Sequence, residues 1–185
     1  MRRAGVFLAA AAAVAMLVGC KRSQHARVST YTRPPLPAGF VEHAGTGWRV
    51  AAPSTWLEGG KAAPAVWESS DPQAVEEYHA NAIVVVEPFA GESYEYARAN
   101  EASLHDQSRA TVLAAREDVV DGDTTHVLES RWQPAVPSTT PYQLMQTVLA
   151  SRGTGYVVTC AAAASSFERY RSTCEAVVRS FAVER

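Results

Sequence analysis

Apolar positions along this chain alternate in short runs more often than they recur at helical spacing. In Gly47-Trp48-Arg49-Val50-Ala51-Ala52, Trp48 and Val50 flank Arg49 and the run stops at Pro53, which predicts a half-buried strand. Ala65 to Ser69 predicts a second, shorter strand, and Asp71-Pro72 a capped helical turn through Val75 and Tyr78. Ala82-Ile83-Val84-Val85-Val86-Glu87 is unbroken, as expected of a central strand covered on both faces, and Pro88 closes it.

Ser93 then fits a helix N-cap, with Tyr94, Ala97, Glu101 and Leu104 following at spacings of three and four to about Gln107. Ala110 to Val120 returns to strand character. Asp121-Gly122 signals a tight hairpin, and the strand from Thr124 to Gln133 sets Leu128 and Trp132 on one face. The prolines of the stretch Pro134 to Pro141 make it a loop. Tyr142–Ala150 and Gly155–Cys160 predict another strand pair around Ser151-Arg152-Gly153. Ser165 with Glu168 reads as a capping box, and Phe167, Tyr170, Cys174, Val177 and Phe181 form the stripe of a final helix. This order predicts an α+β fold, an antiparallel β-sheet of about 6–7 strands covered by helices.

The N-terminus follows a different logic. Met1-Arg2-Arg3, an apolar run from Ala4 to Val18 and a small exit residue have the anatomy of a secretory signal peptide. The run is shorter than the roughly 20 apolar residues that a bilayer span needs. Leu17-Val18-Gly19-Cys20 resembles the bacterial lipobox, whose cysteine is acylated and becomes the new N-terminus; Ala13-Val14-Ala15 offers an ordinary cleavage site instead. Arg2-Arg3 lacks the fuller twin-arginine pattern, so the general secretory route is expected. The resulting division is residues 1–19 as signal peptide, 20–44 as lipidated N-terminus and tether, and 45–185 as the domain. Arg33-Pro34-Pro35-Leu36-Pro37-Ala38-Gly39 favours extended backbone within that tether, with Phe40 and Val41 as an alternative start of the fold.

Composition narrows the partners. After removal of residues 1–19, all 19 acidic residues remain against 15 basic ones (17 less Arg2 and Arg3), a net charge of about −4. That balance argues against nucleic acid, which demands clustered positive charge. With Cys20 assigned to lipid, Cys160 and Cys174 remain, and an exported compartment permits their oxidation. Cys160 alternates with Tyr156 and Val158, and Cys174 lies on the helical stripe, so both sulfurs point into one strand–helix seam. The expectation is a disulfide; the alternative is two separate buried thiols.

Few constellations carry chemistry. Gly-x-Ser-x-Gly, His-Glu-x-x-His, a Gly-Lys-Ser/Thr phosphate loop and Cys-x-x-Cys are all missing. Gly45-Thr46-Gly47-Trp48 and Gly153-Thr154-Gly155-Tyr156 look alike, but both lead into strands and read as turns. His43, His79, His105 and His126 are scattered as surface residues. A metal site would need convergence such as His79, His126 and Glu76 or Glu77, which spacing does not support, so no metal and no cofactor are expected. Glu76-Glu77 and Glu117-Asp118 read as solvated strand edges. Trp48, Trp56, Trp67 and Trp132 read as core, or as the walls of a ligand slot.

Trp48-x-Val50-x-x-Pro53-x-x-Trp56, Gly155-Tyr156-Val157-Val158-Thr159, Phe167-x-x-Tyr170 and Ser180-Phe181 together resemble the PsbP-like domains, over about residues 45–183. That resemblance implies an α/β/α sandwich that binds or assembles partners and has no shared catalytic set. The reading is therefore a non-enzymatic lipoprotein. Its partners would be the lipid bilayer, through acylated Cys20, and an envelope protein. Lys21, in place of the aspartate that retains lipoproteins at the inner membrane, favours the outer membrane. The alternative is a small-ligand-binding protein or unrecognised hydrolase with a tryptophan-lined cleft.

Overall fold

The structure, a computed structural model, describes residues 31–60, 63–135 and 139–184; the expected leader and the expected lipidation site Cys20 lie outside them. Among the described residues, two sheets and two helices build the fold. Strands β1 (Phe40–Gly45), β2 (Trp48–Pro53) and β10 (Ala182–Val183) form a small antiparallel sheet in the order β1-β2-β10. Strands β3 (Leu57–Glu58), β4 (Ala65–Val75), β5 (Tyr78–Pro88), β6 (Ala110–Val120), β7 (Asp123–Trp132), β8 (Tyr142–Ser151) and β9 (Thr154–Ala163) form the large one, in the order β3-β4-β5-β9-β8-β7-β6. Every pairing is antiparallel, and β9 enters between β5 and β8.

The pleat of β9 separates two cores. Val158, Cys160 and Ala162 face helix α2 (Phe167–Ser180) and the small sheet, in a cluster with Val50, Met145, Leu149, Phe167 and Val177. Val157 turns to the opposite face and packs beside Tyr96, Ala97, Val148 and Ala150 under helix α1 (Ser93–His105). The layers therefore run α1, large sheet, then α2 with the small sheet. Cys160 and Cys174 are joined by a disulfide with both residues fully buried and Cα atoms 5.1 Å apart, which staples α2 to β9.

Several sequence expectations shift. The tether does not extend to residue 44, because Phe40–Gly45 pairs along its whole length with Trp48–Pro53. Arg33 already holds Glu42, at 2.5 Å, and the Ser180 carbonyl. Asp71-Pro72 begins no helical turn. Both residues lie in β4, where the register shifts between Ser70 and Ala74; a bulge of this kind accommodates a proline that cannot donate to the ladder.

β5 is covered on one face rather than two. Ala82 and Val84 are buried but Ile83 and Val85 only half so, because α1 packs on β6, β7 and β8. The N-cap of α1 is Glu92, whose N–H donates to Glu95 at 3.1 Å, and Ser93 is the first helical residue. The N-cap of α2 is Ser166, not Ser165, and Glu168 bonds Arg171 instead of closing a capping box.

Candidate functional site

The two Gly-Thr-Gly turns, far apart in sequence, meet in space. Thr46 lies in the β1–β2 turn and Thr154 at the start of β9, and both line a half-open cleft of about 740 Å³. Its floor is aromatic. Trp48 on β2, Trp67 on β4 and Tyr156 on β9 line it, are only 4–6% exposed and belong to the main core. The Trp48 and Trp67 ring centres lie 6.2 Å apart at 56°, and His43 tilts over Trp67 at 5.0 Å and 43°.

The first turn needs its glycines because of these rings. A Cβ on Gly45 would meet the Trp48 indole at 2.4 Å. One on Gly47, whose φ is +81°, would meet the Tyr156 hydroxyl at 2.6 Å. The aromatic floor and the turn above it are thus one packing unit.

The polar side of the cleft is a pair that sequence spacing did not suggest. His43 Nδ1 and Glu58 Oε1 are 2.8 Å apart, and Trp67 Nε1–H donates to the same oxygen at 3.2 Å. The Glu58 side chain is 63% exposed while His43 is only 18% so, which places the carboxylate at the mouth. Among the described residues no hydroxyl or thiol bonds the His43 ring. The pair therefore orients an imidazole and a carboxylate without an adjacent nucleophile. Glu58 had no signal in the sequence: it sits on a two-residue strand, and only the β3–β4 pairing carries it to Trp67.

The other candidates disperse. Trp56 is buried in the core away from the cleft lining, and Trp132 stacks on Tyr142 at 6.2 Å and 3°. His79 bonds the Asp71 carbonyl at the far end of β5. His126 is not a surface residue: it is 9% exposed and held 2.8 Å from Glu101 of α1. His105 closes the last turn of α1, and among the described residues no three His, Cys, Asp or Glu side chains cluster as metal ligands. Glu76 and Glu77 are not strand residues but the tip of the β4–β5 hairpin, with φ of +51° and +65°. Glu117 pairs opposite His126 in the ladder, while Asp118 accepts from Arg179 at 2.8 Å. The loop from Pro134 to Pro141 is described only at its ends.

No protein-family model and no curated protein matches this sequence. Solved structures do. The cyanobacterial PsbP of Synechocystis sp. PCC 6803 superposes with a TM-score of 0.54 at 16% identity, over 80% of this chain and 94% of its own. LpqN of Mycobacterium tuberculosis, described as involved in cell envelope biogenesis, gives 0.57 at 11%, over 79% and 90%. The Ran-binding protein Mog1p of Saccharomyces cerevisiae gives 0.51 at 13%, over 80% and 96%. No helix among the described residues is long and apolar enough to cross a membrane. Identities this low carry architecture and no residue roles, so the conclusion is one of fold: the domain is an α+β sandwich of the PsbP-like type.

Proposed function

We propose that this chain is an exported lipoprotein, held at the membrane by acyl groups on Cys20, whose PsbP-like domain works in the cell envelope by binding rather than by catalysis. The observation that carries the reading is the fold, which the chain shares with a Ran-binding protein and with a protein of cell envelope biogenesis. The leader ending in Leu17-Val18-Gly19-Cys20 supplies the anchor, and Lys21 favours the outer membrane. Two or three acyl chains on Cys20 would make attachment effectively permanent, since each buried methylene contributes about 0.8 kcal/mol. Crosslinking in intact cells tests the reading. A defined envelope protein should be captured by the native chain and lost with Cys20→Ser, which should also leave the membrane fraction and lack the fatty-acid mass. Capture of no partner together with measurable turnover would overturn it.

The cleft favours a second reading, a small-ligand-binding protein or an unrecognised hydrolase. A volume of about 740 Å³ lies within the range of roughly 300–1,000 Å³ typical of ligand sites. Thermal shift against a metabolite and metal panel separates the two, because a ligand at 100 times its dissociation constant adds about 2.7 kcal/mol. A flat response across the panel would leave partner binding as the sole reading.

A further inference from the structure

We infer that two copies of this chain pair edge to edge through strand β6, continuing the large sheet across a two-fold axis. Among the described residues β6 ends that sheet, and its middle, Leu113 to Glu117, is exposed throughout. Val120 and Asp123 flank a two-residue turn, and from there hydrogen-bonded pairs alternate with pairs whose backbone groups point away from β7. Val119, Glu117 and Ala115 therefore turn their N–H and C=O groups outward. At the other end the Arg109 carbonyl accepts from the Gln133 N–H at 2.9 Å, so Ala110 and Val112 turn outward as well. Such an edge is a template for a further strand.

The sequence of β6 fits its own copy. Arg116 and Asp118 reach Glu175 and Arg179 of α2, which puts Ala115 and Glu117 on the α1 side of the sheet. Ala115 pairs with Leu128, and across the bulge Val112 and Ala110 pair with Ser130 and Trp132, which share the face of Leu128. One antiparallel register joins outward backbone groups and keeps each pair on one face. It sets Ala115 against Val112 of the second copy, Glu117 against Ala110, Arg116 against Thr111 and Asp118 against Arg109. Arg109 is exposed and has no partner among the described residues, so this register supplies one, twice by symmetry. A slip of two residues one way sets Arg116 against Arg109, and a slip the other way loses the Arg109–Asp118 pair. Leu113, the bulge residue, is 44% exposed and falls at the axis beside its own copy, which would cover it.

Cysteine crosslinking of the full-length protein in non-ionic detergent tests the register. Val112→Cys/Ala115→Cys sets facing cysteines about 5.5 Å apart between Cα atoms and should form intermolecular disulfides on mild oxidation. Thr111→Cys/Ala115→Cys, whose side chains leave opposite faces, should not. Sedimentation equilibrium of the native chain in density-matched detergent should give a dimer. Arg109→Glu should weaken it by about tenfold with an unchanged melting temperature, because two opposite-charge pairs become like-charge ones. Monomer mass across the micromolar range would overturn the inference, as would a dimer without the Val112–Ala115 crosslink. Equal crosslinking of the two cysteine pairs, or undiminished association of Arg109→Glu, would overturn it too.

Discussion

Ser93 shows how one hydroxyl can hold two elements together. Its Oγ accepts from the Ala150 N–H at 2.9 Å and donates to Asp123 at 2.6 Å, so the first residue of α1 closes a gap in the β8 backbone. Ser93→Ala should cost about 1–3 kcal/mol, the penalty of an unpaired buried donor, measurable by urea denaturation. A change below about 0.5 kcal/mol would mean that water replaces the hydroxyl. Glu76 and Glu77 make the opposite case. Both occupy left-handed backbone, which asparagine and glycine tolerate better than glutamate. Replacing the pair with Asn-Gly should raise stability by about 1 kcal/mol; a lower melting temperature would show that the glutamates have a compensating role.

The tyrosines set an alkaline limit. Burial, then the hydrogen bond to Glu87, holds the Tyr96 phenol far above its ordinary 10.0. Burial also raises Tyr78, with Tyr142 and Glu68 adding to it, and raises Tyr142 and Tyr170. A raised phenol pKa means that the folded state binds the proton more tightly than the unfolded one. Stability is then intact below pH 10 and falls as pH climbs through the raised values. Phenolate absorbance from Tyr78 and Tyr96 should appear only together with unfolding seen by circular dichroism. Their titration near pH 10 in the folded protein, read from the loss of that late absorbance in Tyr78→Phe and Tyr96→Phe, would contradict this.

Between elements, the two helices are secured by different means. α2 buries Phe167, Tyr170, Cys174, Val177 and Val178 and is stapled to β9 through a loop of 14 residues. Closing a loop of that size contributes about 3 kcal/mol, so the Cys160→Ala/Cys174→Ala variant should lose that amount. α1 rests on a small apolar patch and is otherwise pinned by polar contacts: Ser93 to Ala150, Tyr96 to Glu87, His126 to Glu101 and Asn100 to Gln146. Amides of α1 should therefore exchange with solvent well before those of α2, through local opening. Equal protection by hydrogen-exchange mass spectrometry would refute that. Both helices were readable from spacing, but their first residues were not. Serine competes for several places at a helix start, and the hydroxyl of Ser93 is spent on β8 rather than on a cap.

For the whole molecule, the boundary matters most. β1 covers β2, and Arg33 reaches across to the end of α2, so a chain beginning at Arg33 should melt higher than one beginning at Thr46. The sequence by itself determined what is local: the alternation that makes strands, the Asp121-Gly122 turn, the helical stripe from Phe167, and two cysteines aimed into one seam. Such features depend on residues within a few positions of one another, where covalent geometry dictates which side chains share a face. Tertiary structure alone decided that the strands of the described residues divide into two sheets, that β9 inserts between β5 and β8, and that α1 leaves Ile83 and Val85 half-covered. It alone brought Thr46 to Thr154, and Glu58 to His43 and Trp67. The cleft is a meeting of segments separated by up to about a hundred residues, and no periodicity within one segment encodes which distant partner will bury its other side.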